Sequence, residues 1–594
     1  MEPLQPMDAF NQMSMLSPQE EMTLLKRLKE QYDDSMNDVA RLHKKVDDWH
    51  KLYATYKEES KKEFPWEGAS NYRIPLILSV IDSYHARLAK AVFEVDPLWL
   101  TRARTPEGVE PAEKAQWYLD YWADEIDLPV KMDKVILSML IEGTGIAKLE
   151  WQRSYTEVHQ FGERDMAANP EVNDVNQVVD YDGPNVEVVS VRDFVMIPAN
   201  SPSIDEAVYV GHKVWRTYQQ LKAAERAGVY YNVDELQAKS QGDTHPNYNE
   251  NSYVKPRDPN TKYEEANQYE IIELYGSYEW DEGVLTPTVF TFSAEHEILL
   301  RVEPYSYSYG KPPYIDFVAF PEPNEFYGRS LAGLLESAQE ELTTIHNLRM
   351  DSIARTVAPP VLKKFGSHWD EEINPLTPKS VIGVNDITDI AELPLRDIPN
   401  GLFAHEQDLM AFVERSTGMS DTSMGRMNNQ YATATAVNRI TSEGLARVDI
   451  AVSRFQYGMK RLGWFLWWLL YQYRPLVDYF YAENAQRTIT KMDMRPRDEL
   501  SLMPFELIPQ GMLSEASKEA RKQQSLMMYQ ILSAVLSQFY PDGLQKLTDE
   551  ILKTHDIQDR GSITGPPWSV IQQQIQQAYQ QGMMEGMEQG GAEQ

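Results

Sequence analysis

Cysteine is absent from this chain of 594 residues. Its absence excludes disulfide bonds, iron–sulfur clusters and thiol catalysis, and it fits synthesis in the cytoplasm. No signal peptide is expected, because Met1–Ser17 has neither a basic start nor an apolar core. The most apolar run, Leu462–Tyr473, is shorter than the roughly 20 residues that cross a bilayer. We therefore expect no membrane association, and this run is expected to be a helix that is buried or lies in an interface.

Positive charge is scarce as well. Lysine and arginine number 57 against 90 aspartates and glutamates, which gives a net charge of −33. A protein that binds DNA tightly through its phosphates needs a basic surface, whereas acidic residues outnumber basic residues in this chain. The net charge is typical of an ordinary acidic surface, but it also fits a surface along which DNA moves without binding tightly.

Motifs for enzyme chemistry are lacking. Gly310-Lys311 is followed by two prolines, so it is not a phosphate-binding loop, and Gly143–Gly145 is interpreted as a helix–strand turn. The 11 histidines include no pair spaced to share a metal, and Asp180–Gly183 lacks the glutamate that closes a calcium loop. The sequence therefore predicts no catalytic residue, no metal site and no cofactor.

Apolar residues make up 42% of the chain and aromatic residues 11%, so it can bury a sizeable core, and its length predicts three or four structural units. Ser17-Pro18-Gln19-Glu20 is a capping box that opens a long amphipathic helix to about Ser60. Further helices are predicted at Pro75–Phe93, Pro111–Glu125 and Pro129–Glu142.

The apolar period then changes from 3.6 to 2, which is typical of strands. The predicted strands are Ile146–Trp151, Val186–Val195, Ala207–Val214, Gln268–Trp280, Pro287–Phe292, Ile298–Val302 and Ile315–Phe320. Two polar stretches, Tyr155–Asn185 and Gln241–Asn267, show no apolar period and are predicted to be mobile excursions. Helices and strands together place the chain in the α+β class.

A block from about Asn324 to Tyr473 returns to the helical period. One apolar stripe predicts a helix over Leu331–Val357, which Pro359 and Pro360 end. The rest of the block is predicted as short strands at Val361–Lys364, Ser380–Val384 and Ile387–Leu393, a helix at Pro399–Gly418, a polar loop at Ser420–Tyr431 and a long helix at Thr433–Tyr473. Beyond it we expect strand-like pieces within Thr488–Ile508, helices at Ser514–Phe539 and Leu544–His555, and a fraying tail over Ile571–Gln594.

Three segments carry a resemblance to a known family: Phe64–Phe93 (FPWEGASNYRIPLILSVIDSYHARLAKAVF), Pro323–Leu362 (PNEFYGRSLAGLLESAQEELTTIHNLRMDSIARTVAPPVL) and Thr417–Phe455 (TGMSDTSMGRMNNQYATATAVNRITSEGLARVDIAVSRF). The first resembles the early G-x-S-N-x-x-x-P stretch of tailed-bacteriophage portal proteins. The second is similar to their Tyr-Gly entry, Gln- and Asn-bearing stem helix and proline end. The third is similar to their Thr-Gly, loop and Thr-Ala-Thr-Ala helix. The order and spacing of the segments make the resemblance specific.

The resemblance implies a ring, usually of twelve subunits, around a DNA channel at one capsid vertex of the virion. It would divide the chain into a wing (residues 1–330), stem helices (331–357 and 399–418), a clip (358–398), a tunnel loop (420–432), a long wing helix (433–475), and a mainly helical crown with the C-terminal tail (476–594). The implied partners are other copies of the chain, double-stranded phage DNA bound without sequence specificity, the terminase large subunit, the head–tail adaptor, and capsid and scaffold proteins.

Two groups of residues are candidates for the channel. The tunnel loop would bring to the DNA Ser423, Met424, Gly425, Arg426, Met427, Asn428 and Asn429. Three acidic side chains off the apolar stripe of the stem helix are expected to face the lumen: Glu336, Glu340 and Asp351. The apolar stem stripe and the aromatic run Trp464–Tyr473 could each be a subunit interface or ordinary intrachain core.

Two other functions remain open at this stage. A coat or tail-tube subunit would be dominated by strands and would lack the stem–clip–stem block. A metal-dependent packaging nuclease would need clustered carboxylates or histidines. Neither pattern is present in the sequence.

Overall fold

The structure is a computed structural model in two units, 1–89 with 130–150 and 186–458, and 90–129 with 151–185 and 459–594. It describes residues 16–55, 69–94, 97–160, 174–239, 268–281, 283–305, 307, 309–357, 361–363, 390–392, 401–418, 434–475, 478–483, 489–494, 505–509, 527–533, 544, 547–548 and 551. Each unit mixes helices and strands, which confirms the α+β class.

The helices are α1 (Pro18–Tyr53), α2 (Leu76–Phe93), α3 (Val109–Glu125), α4 (Leu128–Glu142), α5 (Tyr218–Arg226), α6 (Val233–Lys239), α7 (Leu331–Val357), α8 (Gly401–Thr417) and α9 (Ala434–Tyr473). The strands are β1 (Trp99–Ala103), β2 (Gly145–Gln160), β3 (Asp174–Val189), β4 (Phe194–Ile197), β5 (Tyr209–Thr217), β6 (Gln268–Asp281), β7 (Val284–Ser293), β8 (Ile298–Pro304), β9 (Tyr314–Phe317), β10 (Val361–Lys363), β11 (Ile390–Glu392), β12 (Asp478–Glu483), β13 (Ile489–Met494) and β14 (Phe505–Pro509).

Helix α1 begins at the predicted capping box. The Ser17 hydroxyl accepts from the Glu20 amide at 3.4 Å, and the Glu20 carboxylate accepts from the Ser17 amide at 2.8 Å. These bonds satisfy two amides that the first turn leaves without helical partners. The helix was predicted to reach about Ser60 but ends at Tyr53, where Thr55 takes a φ of +51°. A non-glycine residue with this φ cannot continue a right-handed helix.

A five-stranded antiparallel sheet in the order β4-β5-β6-β7-β8 forms the centre of the first unit. Leu24, Leu28 and Tyr32 of α1 pack on one face, in a cluster with Ile272 and Phe292. The other face packs against the short helices α5 and α6 through Leu221, Val233, Leu236, Ile271, Ile298 and Leu300. Neighbouring residues such as Ile271 and Ile272 thus face opposite layers, as the period of 2 requires.

A buried network of charges lies between this sheet and the sheet β3-β2-β9. The Lys148 ammonium is 2.8 Å from the Glu273 carboxylate and 3.0 Å from that of Glu150. Burial alone would lower the pKa of Lys148, but the attraction of Glu273 holds it well above the ordinary value. Burial also lowers the pKa of His212 to about 3, so this ring is neutral and shares a 2.7 Å hydrogen bond with the Tyr314 hydroxyl.

Aromatic side chains form the core of the second unit. Strand β1 pairs antiparallel with β14, and the Trp99 indole donates to the carbonyl of Met459 at 2.9 Å. A Cβ on Gly463 would lie 2.8 Å from the Trp99 indole nitrogen, so only glycine allows this close approach. Trp464 stacks on Phe505 with ring centres 5.3 Å apart. The aromatic run of α9 is therefore intrachain core, one of the two possibilities left open by the sequence.

Polar contacts fix the beginning of the segment that follows α9. Arg474 forms a two-pronged ion pair with Asp478, at 2.7 Å for each bond, and the Tyr118 hydroxyl donates to the same carboxylate at 2.5 Å. Strands β12 and β13 then pair antiparallel, and β14 joins β1. The described residues between 478 and 509 are thus strands, which agrees with the strand-like pieces expected within Thr488–Ile508.

Further differences from the sequence predictions concern strands and short helices. The described parts of the stretch Tyr155–Asn185 are strands rather than an excursion, because β2 extends to Gln160 and β3 begins at Asp174, whereas residues 161–173 lie outside the described residues. An apolar period reports the burial of one face, whereas strand pairing is made by the backbone. The predicted strand Val186–Val195 is two strands separated by a turn at residues 191–193. Not foreseen were α5, α6, β1 and β12, whereas Gln241–Asn267 and Ser380–Val384 lie outside the described residues.

Candidate functional site: the helix Leu331–Val357 and its contacts

Helix α7 has the predicted bounds, and the residues before it are tied to the turn between α4 and β2. The Gly328 amide donates to the Thr144 hydroxyl at 2.9 Å, and the Ser330 hydroxyl donates to the carbonyl of Ile141 at 2.6 Å. The Ser330 hydroxyl also accepts from the Gly333 amide at 3.0 Å, so it caps the helix. These contacts give the Tyr-Gly entry motif a structural role.

Gly143 makes this close approach possible. Its φ is +89°, and a Cβ built on it would lie 2.2 Å from the Gly328 carbonyl oxygen. We expect Gly143→Ala to lower the free energy of unfolding by about 2–3 kcal/mol, because left-handed strain and a backbone clash add together. Urea unfolding followed by tryptophan fluorescence measures the effect.

Gly283→Ala is the matched control for this substitution. Its φ is +84°, but a Cβ there would meet nothing within 4 Å. The control carries the same strain without the clash and should cost only about 1 kcal/mol. Equal losses for the two variants would show that the approach of Gly143 to Gly328 does not matter for stability.

Four polar side chains spaced four residues apart lie along one side of α7 and are here called the polar clasp: Gln339, Thr343, Asn347 and Asp351. Asn347 accepts from the Tyr72 amide and donates to the Tyr72 carbonyl, both at 2.9 Å. The same Asn347 oxygen accepts from the Ser70 hydroxyl at 2.9 Å, and the Asp351 carboxylate accepts from the Ser70 amide at 2.6 Å. Side chains of α7 therefore form hydrogen bonds with the backbone before α2, in place of the backbone of a neighbouring strand.

The other half of the clasp holds the start of α2. Thr343 accepts from the Ile74 amide at 3.3 Å, and the Gln339 side chain accepts from the Ile77 amide at 2.8 Å. The Gln339 amide group also donates to the carbonyl of Leu52, near the end of α1, at 3.3 Å. Amides at a helix start need such partners because no helical carbonyl reaches them.

The clasp joins two of the segments that carry the family resemblance, the Gly-x-Ser-Asn stretch and the segment that contains α7. Sequence reasoning treated them separately and expected Asp351 to face the lumen. The available signal was the spacing of Gln339, Thr343, Asn347 and Asp351, whose side chains can all bind a backbone. Three of the four are buried: Gln339, Asn347 and Asp351.

The three acidic residues predicted for the lumen have different surroundings. The Asp351 side chain is buried in the subunit, where it serves the clasp, so the structure contradicts the expectation that it is open to a channel. Glu336 is partly exposed, and its carboxylate accepts from the Trp49 indole at 3.3 Å. Glu340 is exposed. The prediction for Glu336 and Glu340 stands untested.

Helices α7 and α8 pack against each other, and β10 and β11, which lie between them in the sequence, pair antiparallel. Two ion pairs join the helices: Arg349 with Glu406 at 2.8 Å and His405 with Glu341 at 2.7 Å. This block has the predicted order of helix, strands and helix. The remainder of the predicted clip lies outside the described residues.

The last turns of α7 expose an apolar face. Met350, Ile353 and Val357 follow the spacing i, i+3, i+7 of one helical side, and their exposed fractions are 43%, 43% and 79%. On α8, Phe412 is 63% exposed. Earlier in α7, by contrast, Leu331, Leu335, Leu342 and Ile345 are buried and belong to the core. Large apolar side chains that are exposed on the same side of a helix are typical of a contact surface.

The predicted tunnel loop, including Ser423–Asn429, lies outside the described residues. The helices around it are described: α8 ends at Thr417 before Gly418, and α9 begins at Ala434. The Arg447 guanidinium of α9 donates to the carbonyls of Arg415 and Ser416, at 2.7 and 2.5 Å. A cation at the C-terminal carbonyls of a helix complements the helix dipole.

A cavity of about 780 Å³ lies beside the start of α7 and is mostly acidic. Four carboxylates line it: Asp38, Glu322, Glu325 and Glu336. Lys45 and Arg329 are its basic residues, and Trp49 and Leu334 supply apolar surface.

The described residues contain no group of three or more histidine, cysteine, aspartate or glutamate side chains arranged to hold a metal ion.

Comparison with known proteins complements this geometry. Among the described residues, no helix is both long and apolar enough to cross a bilayer. No curated protein matches the chain. The family model described as Phage SU10 portal protein matches residues 163–593, well over half of the chain. That span includes α7, the strand pair β10–β11, α8 and α9. The chain belongs to the phage SU10 portal protein family.

Proposed function

We propose that the chain assembles into a ring, usually of twelve copies, that forms a channel at one vertex of the capsid. The phage genome would be packaged and ejected through this channel. Membership of a portal family supports the role in general. The observation that carries the proposal is the pair of helices α7 and α8 with the exposed apolar face of Met350, Ile353 and Val357. A ring needs two different contact surfaces on each subunit, and such a face suits one of them.

The channel would be built from the middle of the chain. The proposed stem is residues 331–357 and 399–418, the clip 358–398 and the tunnel loop 420–432, with the wing in residues 1–330 and 433–475. Residues 476–594 would form the mainly helical crown and the C-terminal tail. The lumen would receive Glu336 and Glu340, whose negative charge disfavours tight contact with DNA phosphates. The tunnel loop would approach DNA with Ser423, Met424, Gly425, Arg426, Met427, Asn428 and Asn429.

In the virion, the ring would dock the terminase large subunit during packaging and the head–tail adaptor afterwards. Capsid and scaffold proteins would contact it during assembly. The family is structural rather than catalytic, and we propose that the chain hydrolyses neither nucleotide nor DNA. The net charge of −33 supports a channel through which DNA moves without sequence-specific binding.

Negative-stain imaging and native mass measurement of the purified protein test this proposal. We expect closed rings with a central hole. Ile353→Asp should reduce the fraction of chains in rings, because a carboxylate in an apolar contact loses its hydration. Leu285→Asp is the matched control, since Leu285 is 71% exposed near the turn between β6 and β7. Monomers under all conditions, or metal-dependent DNA cleavage by the wild type, would overturn the proposal in favour of another virion protein or a nuclease.

A further inference from the structure

A second cavity, of about 290 Å³, lies where the start of α7, the end of α8 and the middle of α9 meet. Three arginines line it, Arg329, Arg447 and Arg454, and we call it the arginine cavity. No aspartate or glutamate is among its described lining residues. In a chain with 90 acidic and 57 basic residues, a cavity whose charged lining residues are all arginines differs from the average composition.

The arginines are held in place largely by neutral groups. Arg447 donates to the carbonyls at the end of α8, and Arg454 donates to the carbonyl of Ala319 at 2.5 Å. Carbonyl oxygens orient a guanidinium without cancelling its charge. Arg329 differs, because it forms an ion pair with Glu322, at 2.8 Å from its Nε. The cavity therefore keeps net positive charge at fixed positions, which is the arrangement that recognises a carboxylate or phosphate.

Apolar side chains line the same cavity and narrow the choice of occupant. Leu334 is 42% exposed and Ile450 is 51% exposed, and both lie among the arginines. A carboxylate on a protein segment can bring apolar side chains to meet them. A DNA phosphate offers the same negative charge, but the sugar–phosphate backbone has no comparable apolar group. The net charge of the chain, −33, would also repel the negatively charged DNA.

We propose that the arginine cavity receives a carboxylate side chain from a second copy of this chain. The inference rests on the proposed ring, in which each subunit presents one surface to a different surface of its neighbour. An acidic chain has many carboxylates to offer, and the arginine cavity is a place where one of them meets compensating charge. The contact would set the register between neighbouring subunits, because fixed guanidinium groups accept a carboxylate in few orientations.

A pair of substitutions at Ile450 tests the charge of the occupant. Ile450→Glu and Ile450→Lys remove the same apolar side chain but add opposite charges. Ile450→Glu should raise the protein concentration at which half of the chains are in rings by more than about tenfold, because like charges repel at an interface. Ile450→Lys should change it much less. Sedimentation at several concentrations measures the assembled fraction, and urea unfolding of each variant verifies its fold.

The absence of native cysteine allows a second, direct test. Ile450→Cys provides a single thiol that can carry a maleimide linked to a photoreactive diazirine, which inserts into carboxyl groups. Rings assembled from a mixture of unlabelled and ¹⁵N-labelled chains are irradiated and digested. We expect cross-linked peptides that join light and heavy chains and contain an aspartate or glutamate at the linkage.

Each outcome separates this inference from the proposed function. Wild-type rings with equal effects of Ile450→Glu and Ile450→Lys, or cross-links confined to one chain, overturn the inference but leave the ring. Rings that assemble normally with Ile450→Glu but bind DNA more weakly assign the cavity to DNA instead, and also overturn it. Failure of the wild type itself to form rings overturns the proposed function, whatever the variants do.

Discussion

Replacement of Lys148 by methionine is expected to lower the free energy of unfolding by about 3–5 kcal/mol. The lysine side chain is buried, and its ammonium lies 2.8 Å from the Glu273 carboxylate. Burial raises the pKa of Glu273, but the attraction of Lys148 outweighs burial and holds that pKa below the ordinary range. Without the lysine, the carboxylate must either stay charged in an apolar interior or take up a proton. Urea unfolding at neutral pH measures the loss.

The double variant Lys148→Met, Glu273→Gln is the control for this prediction. Glutamine carries no charge and can still accept the hydrogen bond that the Tyr275 hydroxyl donates to Glu273 at 2.7 Å. The double variant should therefore recover much of the stability that the single variant loses, because replacing both members of a buried pair is far less costly than removing one. A double variant as unstable as Lys148→Met alone would show that side-chain packing, rather than charge, explains the effect.

Replacement of Asn347 by leucine is expected to cost about 3–5 kcal/mol, because three partners lose their hydrogen bonds at once. These partners are the amide and carbonyl of Tyr72 and the hydroxyl of Ser70, each at 2.9 Å. Leucine has a similar volume but cannot bind a backbone. We expect a lower urea midpoint and faster tryptic cleavage after Arg73, since the segment before α2 loses its attachment to α7.

Thr344→Ala on the same helix is the matched control. Thr344 is exposed, and its hydroxyl donates within the helix to the carbonyl of Glu340 at 2.9 Å. Its removal should leave both the urea midpoint and the cleavage rate close to those of the wild type. If Asn347→Leu behaves like this control, the polar clasp is a consequence of the fold rather than a cause of its stability.

Features decided by local sequence were predictable. The capping box at Ser17 and the bounds Leu331–Val357 depend on neighbouring residues, an apolar period and nearby prolines. The aromatic run of α9 was only half predictable, because intrachain core and a subunit interface require the same apolar side chains. Two of its ring partners, Tyr118 and Phe505, lie far away in the sequence.

Features that depend on register between distant segments were not predictable. Lys148 meets Glu273 because β2 and β6 lie in adjacent sheets, and no pattern around either residue indicates the other. The clasp was missed for the same reason, although its spacing was visible. Polar side chains four residues apart on a helix usually face solvent, and the segment that buries them lies more than 260 residues earlier. The expectation for Asp351 rested on its charge and its position off the apolar stripe, and neither indicates the distant Ser70 amide that its carboxylate binds.

The distance along the chain that the clasp spans has a consequence for the order of events during synthesis. The Ser70 amide binds the Asp351 carboxylate across 281 residues. Residues 69–77 therefore leave the ribosome long before the side chains that bind them exist, and contacts of such long range form late in folding. Translation itself thus delays the completion of the contacts around α7, because the polar clasp cannot form before residue 351 has emerged.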